Sequence, residues 1–144
     1  MGQWNKLSEL EKKIRRSVVT VGNLDGVHLG HQAIVRALLD ESRRRGLPSV
    51  AVTFDPHPTV VLETHVPPLL TTPMERARLL EELKVDHVFI QPFTKDLAAT
   101  SAEAYVLSLM NHLGMELLLI GPTTHLGRKR EGTPERLGEL GQKL

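Results

Sequence analysis

Two imidazoles lie three residues apart in the stretch Gly22-Asn23-Leu24-Asp25-Gly26-Val27-His28-Leu29-Gly30-His31. That interval puts His28 and His31 on one face of a first helical turn. Gly22 lets the chain turn off a preceding strand, and Gly26 supplies a second permissive backbone position. Gly30 leaves no side chain beside the imidazoles, so a ligand can approach the backbone. Asp25 suits either N-capping of the following helix or a metal-linked role. A helix N-terminus adds unpaired N–H donors and a positive partial charge. Together these groups suit a nucleotide polyphosphate and can stabilise the extra negative charge of a pentavalent phosphorus. The spacing matches neither the dinucleotide fingerprint nor a P-loop, which needs Gly-Lys followed by Ser or Thr. No third ligand lies nearby at a zinc-like interval, which argues against a metal pair.

Such a loop needs a strand before it and a helix after it. Four short apolar runs read as strands: Val18-Val19-Thr20-Val21, Val50-Ala51-Val52-Thr53-Phe54, His87-Val88-Phe89-Ile90 and Leu117-Leu118-Leu119-Ile120. The fourth is Leu-rich and more ambiguous. Helical patterns lie between and after them. Residues 31–45 carry Ile34, Val35, Leu38 and Leu39 on one face and stop before Gly46 and Pro48. Thr72 caps a helix over 73–83 with Leu79, Leu80 and Leu83 inward. Ser101 caps another over 102–113, closed by Gly114, and Thr133-Pro134-Glu135 opens the last. Residues 1–16 read as a polar leader or as a short helix with Ser8 and Glu11 forming a capping box.

Strands alternating with helices predict an α/β fold with a parallel sheet and right-handed crossovers. Ligands of such sheets bind beyond the C-terminal strand ends. Three of the runs lead into polar, Gly- or Pro-containing segments: 22–31, 55–58 and 121–130. These three loops are expected to meet on one sheet edge.

Composition narrows the alternatives. The 144 residues are enough for one domain, and the 40% hydrophobic and 24% charged fractions are ordinary for a globular chain. The five aromatics, Trp4, Phe54, Phe89, Phe93 and Tyr105, leave the core to aliphatic side chains. A formal net charge of +1 gives no support for bulk attraction to nucleic acid. Arg43-Arg44-Arg45 ends a helix, where cations complement the dipole. Arg128-Lys129-Arg130 reads either as solvated surface or as a phosphate attractor. With no cysteine, disulfides and thiolate metal sites are excluded. No apolar run approaches the ~18 residues of a membrane span, and the polar start is not a signal peptide. No nucleic acid or membrane partner is expected, and the expected location is cytoplasmic.

The stretch from Gly22 to His31 closely resembles the phosphate loop of the N-terminal FMN adenylyltransferase domain of bacterial bifunctional FAD synthetases. The two histidines match the His-x-x-His-type signature of the wider nucleotidyltransferase superfamily. The resemblance continues through Thr53-Phe54-Asp55-Pro56-His57-Pro58, Leu70-Thr71-Thr72, Val85-Asp86-His87-Val88 and Gly121 through Gly132. It implies a Rossmann-like nucleotidyltransferase fold over residues 17–144, an α/β/α sandwich with helices on both faces of the sheet. It implies adenylyl transfer from MgATP to FMN, giving FAD and pyrophosphate, with Mg²⁺ bridging phosphates. His28 and His31 are then the catalytic candidates. Gly22, Asn23, Asp25, Gly26, His28, Gly30 and His31 form the ATP site, while Pro56, His57, Pro58 and Thr123 lie on the flavin side.

The chain departs from the family pattern in three ways. Leu24 stands where the family has Phe. In Gly121-Pro122-Thr123-Thr124-His125-Leu126-Gly127, Thr123 takes the place of Asp or Asn, and Thr124 and Leu126 replace two aromatics. The family's later Ser-Ser/Thr-x-x-Arg segment and its riboflavin kinase module do not occur in the 144 residues. The expectation is therefore a domain incomplete at its C-terminus and weakly active. The alternatives are a non-catalytic nucleotide- or flavin-binding module and another nucleotidyltransferase of the same superfamily; Asp55-Pro56-His57-Pro58 argues against the latter.

Overall fold

The computed structural model describes residues 2–4, 14–24, 29–55, 72–121, 126–128 and 131–144. In chain order these form β1 (Gly2–Trp4), β2 (Ser17–Val21), α1 (Leu29–Arg45), β3 (Ser49–Asp55) and α2 (Pro73–Glu82). There follow β4 (His87–Pro92), α3 (Lys95–Ala98), α4 (Ala102–Leu113), β5 (Met115–Leu119) and α5 (Pro134–Lys143). The five strands form one parallel sheet in the order β1-β4-β3-β2-β5.

The four anticipated strands are all present, including the ambiguous Leu-rich one, which becomes β5 on the sheet edge. The other edge differs from expectation. Gly2–Trp4 pairs with His87–Phe89 as a fifth strand. Three residues with no apolar alternation carry too little pattern to announce a strand; pairing to β4 defines it. Ile14 is buried and Arg15 and Arg16 lie in a bend, whereas Ser8 and Glu11, read as a capping box, lie outside the described residues.

The helix caps follow local chemistry. The hydroxyls of Thr72, Thr94, Ser101 and Thr133 each accept from an N–H three residues on, at Glu75, Leu97, Ala104 and Arg136. Pro73 and Pro134 follow two of these caps, where a missing N–H costs nothing. Gly114 ends α4 at φ 58°, and a Cβ there would stand 1.8 Å from the Arg15 carbonyl oxygen. Only glycine permits that close approach.

Alternation along β3 divides the core between two faces. Val50, Val52 and Phe54 pack with Tyr105, Val106, Leu109 and Leu113 of α4 and with Leu137 and Leu140 of α5. Ala51 packs on the other face with Val35 of α1 and with Ala77 and Leu80 of α2. A third cluster joins Val18 to Leu38, with Leu117 and Leu119 against it. The sheet is thus covered on both faces, as parallel sheets require, and the α/β/α architecture stands.

The strand order locates the functional edge. From β2 through β3 to β4 the chain moves one way across the sheet, then crosses back to set β5 beside β2. The reversal opens a crevice beyond the C-terminal ends of β2 and β5.

Candidate functional site

β3, β2 and β5 are neighbours, so the three polar segments anticipated to meet do leave one edge of the sheet. Val21 is level with Val52, and β3 continues to Asp55, about 10 Å further at roughly 3.3 Å per residue. The site floor is therefore stepped, with the root of the loop after β3 standing above the root of the loop after β2.

The Gly22 N–H donates to the Val52 carbonyl at 3.0 Å. The sharp departure from β2 is not taken at Gly22, as the sequence suggests. Gly22 does not adopt a positive φ, and among the described residues a Cβ there would meet only the Leu24 side chain, at 3.6 Å. The left-handed residue is Leu24, with φ 53°. Its side chain is 3% exposed and joins the cluster beneath α1 and α2. Burial of a leucine, worth about 2 kcal/mol, offsets a left-handed backbone cost of about 1–2 kcal/mol.

Between them sits Asn23, whose carbonyl accepts from the Thr53 hydroxyl and from Nη1 of Arg76, each at 2.8 Å. The Asn23 side-chain Oδ1 is buried and has no hydrogen-bond partner among the described residues. Asp25, Gly26 and His28 lie outside the described residues. α1 begins at Leu29, with Gly30 exposed and His31 half-buried in its first turn. Among the described residues no acidic side chain occupies that turn, so the turn's own residues do not oppose the positive end of a 17-residue helix. The structure therefore brings Gly22, Asn23, Gly30 and His31 to the C-terminal edge of β2.

Pro56, His57 and Pro58 lie outside the described residues, but their root is defined. Asp55 is exposed at the end of β3, and its carbonyl accepts from the Phe93 N–H at 3.0 Å. Thr123 likewise lies outside. The turn that follows it packs on the start of α4. Leu126 and Gly132 form an antiparallel bridge, Arg128 N–H donates to Thr100 O at 2.7 Å, and Ala102 N–H donates to Glu131 Oε1 at 2.8 Å. Gly127, at φ 83°, presses so closely on Ala102 that a Cβ would stand 2.5 Å from its nitrogen. Arg128 is exposed, with Nε 3.7 Å from Glu131 Oε2, a solvated pair of little energetic weight. Lys129 and Arg130 lie outside the described residues.

One site residue is absent from the sequence reading. Arg76 of α2 is 1% exposed. Besides Asn23 O, its Nη1 reaches Thr53 Oγ1 at 2.8 Å and Phe54 O at 3.4 Å. The signal was present in the spacing. Arg76 stands three, four and seven residues before Leu79, Leu80 and Leu83, on the inward face of the helix. A charged residue at a core position asks for a buried polar partner.

Among the described residues no group of three or more His, Asp or Glu is placed to hold a metal ion. Nor, among them, is any helix long and apolar enough to cross a membrane.

Comparison with known proteins places the chain in a family. The chain is 38% identical over 117 residues to the bifunctional riboflavin kinase/FMN adenylyltransferase of Escherichia coli (strain K12), covering 80% of this chain and 37% of that protein. It is 35% identical over 117 residues to the protein of the same name from Listeria monocytogenes, covering 80% and 37%. With the Buchnera aphidicola (Schizaphis graminum) protein of that name, identity is 30% over 137 residues, covering 94% and 44%. The chain thus spans less than half the length of these relatives. Among solved structures, one described as a macrolide-efflux protein from Streptococcus pneumoniae superposes with a TM-score of 0.82 at 25% identity, over 97% of this chain and 47% of that one. A sequence profile of the FAD synthetase family matches residues 10–144, and the chain belongs to that family.

Proposed function

We propose that this chain carries the FMN adenylyltransferase activity of its family, transferring AMP from MgATP to FMN. An oxygen of the FMN phosphate attacks the α-phosphorus of ATP. The bond from that phosphorus to the β-phosphate oxygen breaks, pyrophosphate leaves, and FAD is formed. No covalent enzyme intermediate is required.

The observation that carries this reading is the adjacency of β3, β2 and β5. It supports one edge serving two substrates. On the β2 side, Gly22, Asn23, Asp25, Gly26, Gly30 and the two imidazoles of His28 and His31 are assigned to ATP. On the β3 side, Pro56, His57 and Pro58 are assigned to the flavin, with Thr123 from the loop after β5. His31, in the first turn of α1, adds a donor to the positive helix end and stabilises charge building on the phosphates. Mg²⁺ enters as part of the MgATP substrate, held through phosphate oxygens, which suits a cation that keeps most of its waters. Positioning and charge neutralisation then supply the rate. The proposal includes a cytoplasmic location and small-molecule partners only; the riboflavin kinase activity in the relatives' names is not assigned to this chain.

The test is incubation of the purified chain with ATP, Mg²⁺ and FMN, with FAD followed by chromatography. FAD is expected, and His31→Ala should slow its formation by about 100-fold, as loss of one transition-state donor does. ATP binding that His31→Ala abolishes, without any FAD, would instead identify a non-catalytic nucleotide-binding module. Absence of both ATP and FMN binding would refute the assignment.

A further inference from the structure

Beyond the last backbone hydrogen bond of the β2–β3 pair among the described residues, Gly22 N–H to Val52 O, the two chains are joined by side chains. Thr53 Oγ1 donates to Asn23 O at 2.8 Å, and Arg76 Nη1 donates to both of those oxygens at 2.8 Å. A third contact from the same nitrogen, to Phe54 O at 3.4 Å, extends the grip along β3. The three groups close a triangle. One corner is the root of the segment that leads to His31, and another is the root of the segment that leads to Pro56, His57 and Pro58. Thr53 is on the correct face for this by alternation, since Val52 and Phe54 pack on the opposite face beneath α4.

We propose that Arg76 is a positioning residue for adenylyl transfer: it fixes the ATP-side loop root against the flavin-side loop root and so sets how the two substrates align. This rests on the FMN adenylyltransferase assignment above. Arg76 touches neither substrate in this role; it acts through Asn23 and Thr53. Burying a guanidinium is costly unless it is well bonded, and at this point it is spent on joining two loops rather than on filling space. A leucine at this position would complete the aliphatic face of α2 but leave the Asn23 carbonyl and the Thr53 hydroxyl with only each other. Each loop could still bind its own substrate. What would be lost is the register between them, and a displacement near 1 Å between reacting groups costs about 100-fold in rate.

The test compares the full chain with Arg76→Lys, Thr53→Val and Thr53→Ser. Affinities for ATP alone and for FMN alone are read by calorimetry, folding by thermal unfolding, and kcat by FAD formation at a temperature where each variant is fully folded. Arg76→Lys and Thr53→Val are expected to lower kcat by about 30- to 100-fold, while each binary affinity stays within about threefold. Thr53→Ser, which keeps the hydroxyl, is expected to restore most of the rate. If Arg76→Lys does not fold, the Thr53 pair gives the answer alone. Unchanged kcat in folded variants, or a loss confined to one substrate's affinity, overturns the positioning role while leaving the transferase assignment intact. A wild-type chain that forms no FAD removes both.

Discussion

Ser49 and Asp86 bind each other in both directions. The Ser49 N–H and hydroxyl donate to Asp86 Oδ2 at 2.9 and 3.2 Å, and the Ser49 hydroxyl accepts from the Asp86 N–H at 2.9 Å. Ser49 starts β3 and Asp86 immediately precedes β4, so the clamp closes the N-terminal edge of the sheet, opposite the candidate site. Asp86→Ala is expected to cost about 1–2 kcal/mol, because the buried Ser49 groups lose a charged acceptor. Urea unfolding measures the loss, and substrate affinities in the folded variant are expected to stay unchanged.

Tyr105 crosses the main core to donate to Gln91 Oε1 at 2.7 Å, joining α4 to β4. Burial pushes its phenol well above the ordinary value, because the phenolate would be stranded in an apolar cluster. A pKa raised on folding stabilises the native state fully below the unfolded value and loses that stabilisation as pH climbs past it. Stability is therefore expected to fall above about pH 10, where the unfolded tyrosine ionises. Since Tyr105 is the only tyrosine, tyrosinate absorbance should appear together with unfolding rather than before it. Tyr105→Phe removes the alkaline dependence and costs about 1–2 kcal/mol at neutral pH by orphaning the buried amide oxygen.

Leu24 joins a left-handed backbone to a buried side chain. Leu24→Ala is expected to destabilise the fold by about 2–3 kcal/mol through lost burial. Leu24→Gly loses the same side chain but relieves a left-handed cost of about 1 kcal/mol. The glycine variant should therefore be at least as stable as the alanine variant, the reverse of the usual order. Thermal denaturation of the two decides it; a clearly more stable alanine variant would show that Leu24 is not held left-handed.

Two glycines near the end of the chain should respond oppositely to alanine. Gly127→Ala would force a Cβ to 2.5 Å from the Ala102 nitrogen at a φ of 83°, so the turn must shift off α4. A loss of about 2 kcal/mol is expected, with weaker FMN affinity if this turn carries part of the flavin side. Gly138 lies in α5 with open space around it, and Gly138→Ala is expected to add about 0.5–1 kcal/mol. The difference between the two melting temperatures is the measurement.

Local features of the chain were legible in advance because they are local physics. Thr72, Ser101 and Thr133 cap helices since their hydroxyls reach N–H groups within one turn. Gly114 marks the end of α4 because the chain turns left-handed there. The β-branched runs became β2, β3 and β4, and the departure of three loops from one edge follows from strands that all run the same way. Membership of the FAD synthetase family was also readable from motif order along the chain.

Three features became visible only in the fold, each because it depends on residues far apart in sequence. β1 exists by pairing Gly2–Trp4 to a strand more than eighty residues away. The left-handed turn after β2 falls on Leu24 rather than Gly22 because a hydrophobic pocket beneath α1 and α2 rewards burial there. Spacing puts Arg76 on the inward face of α2, but its partners are defined only when α2 packs on β3 and presents it to Asn23 and Thr53. The loop from Gly22 to His31 thus announced nucleotide chemistry from its own residue types and spacing. How the root of that loop is held against the end of β3 is a matter of tertiary contact, because among the described residues backbone pairing stops at Gly22 and a side chain from a third element takes over.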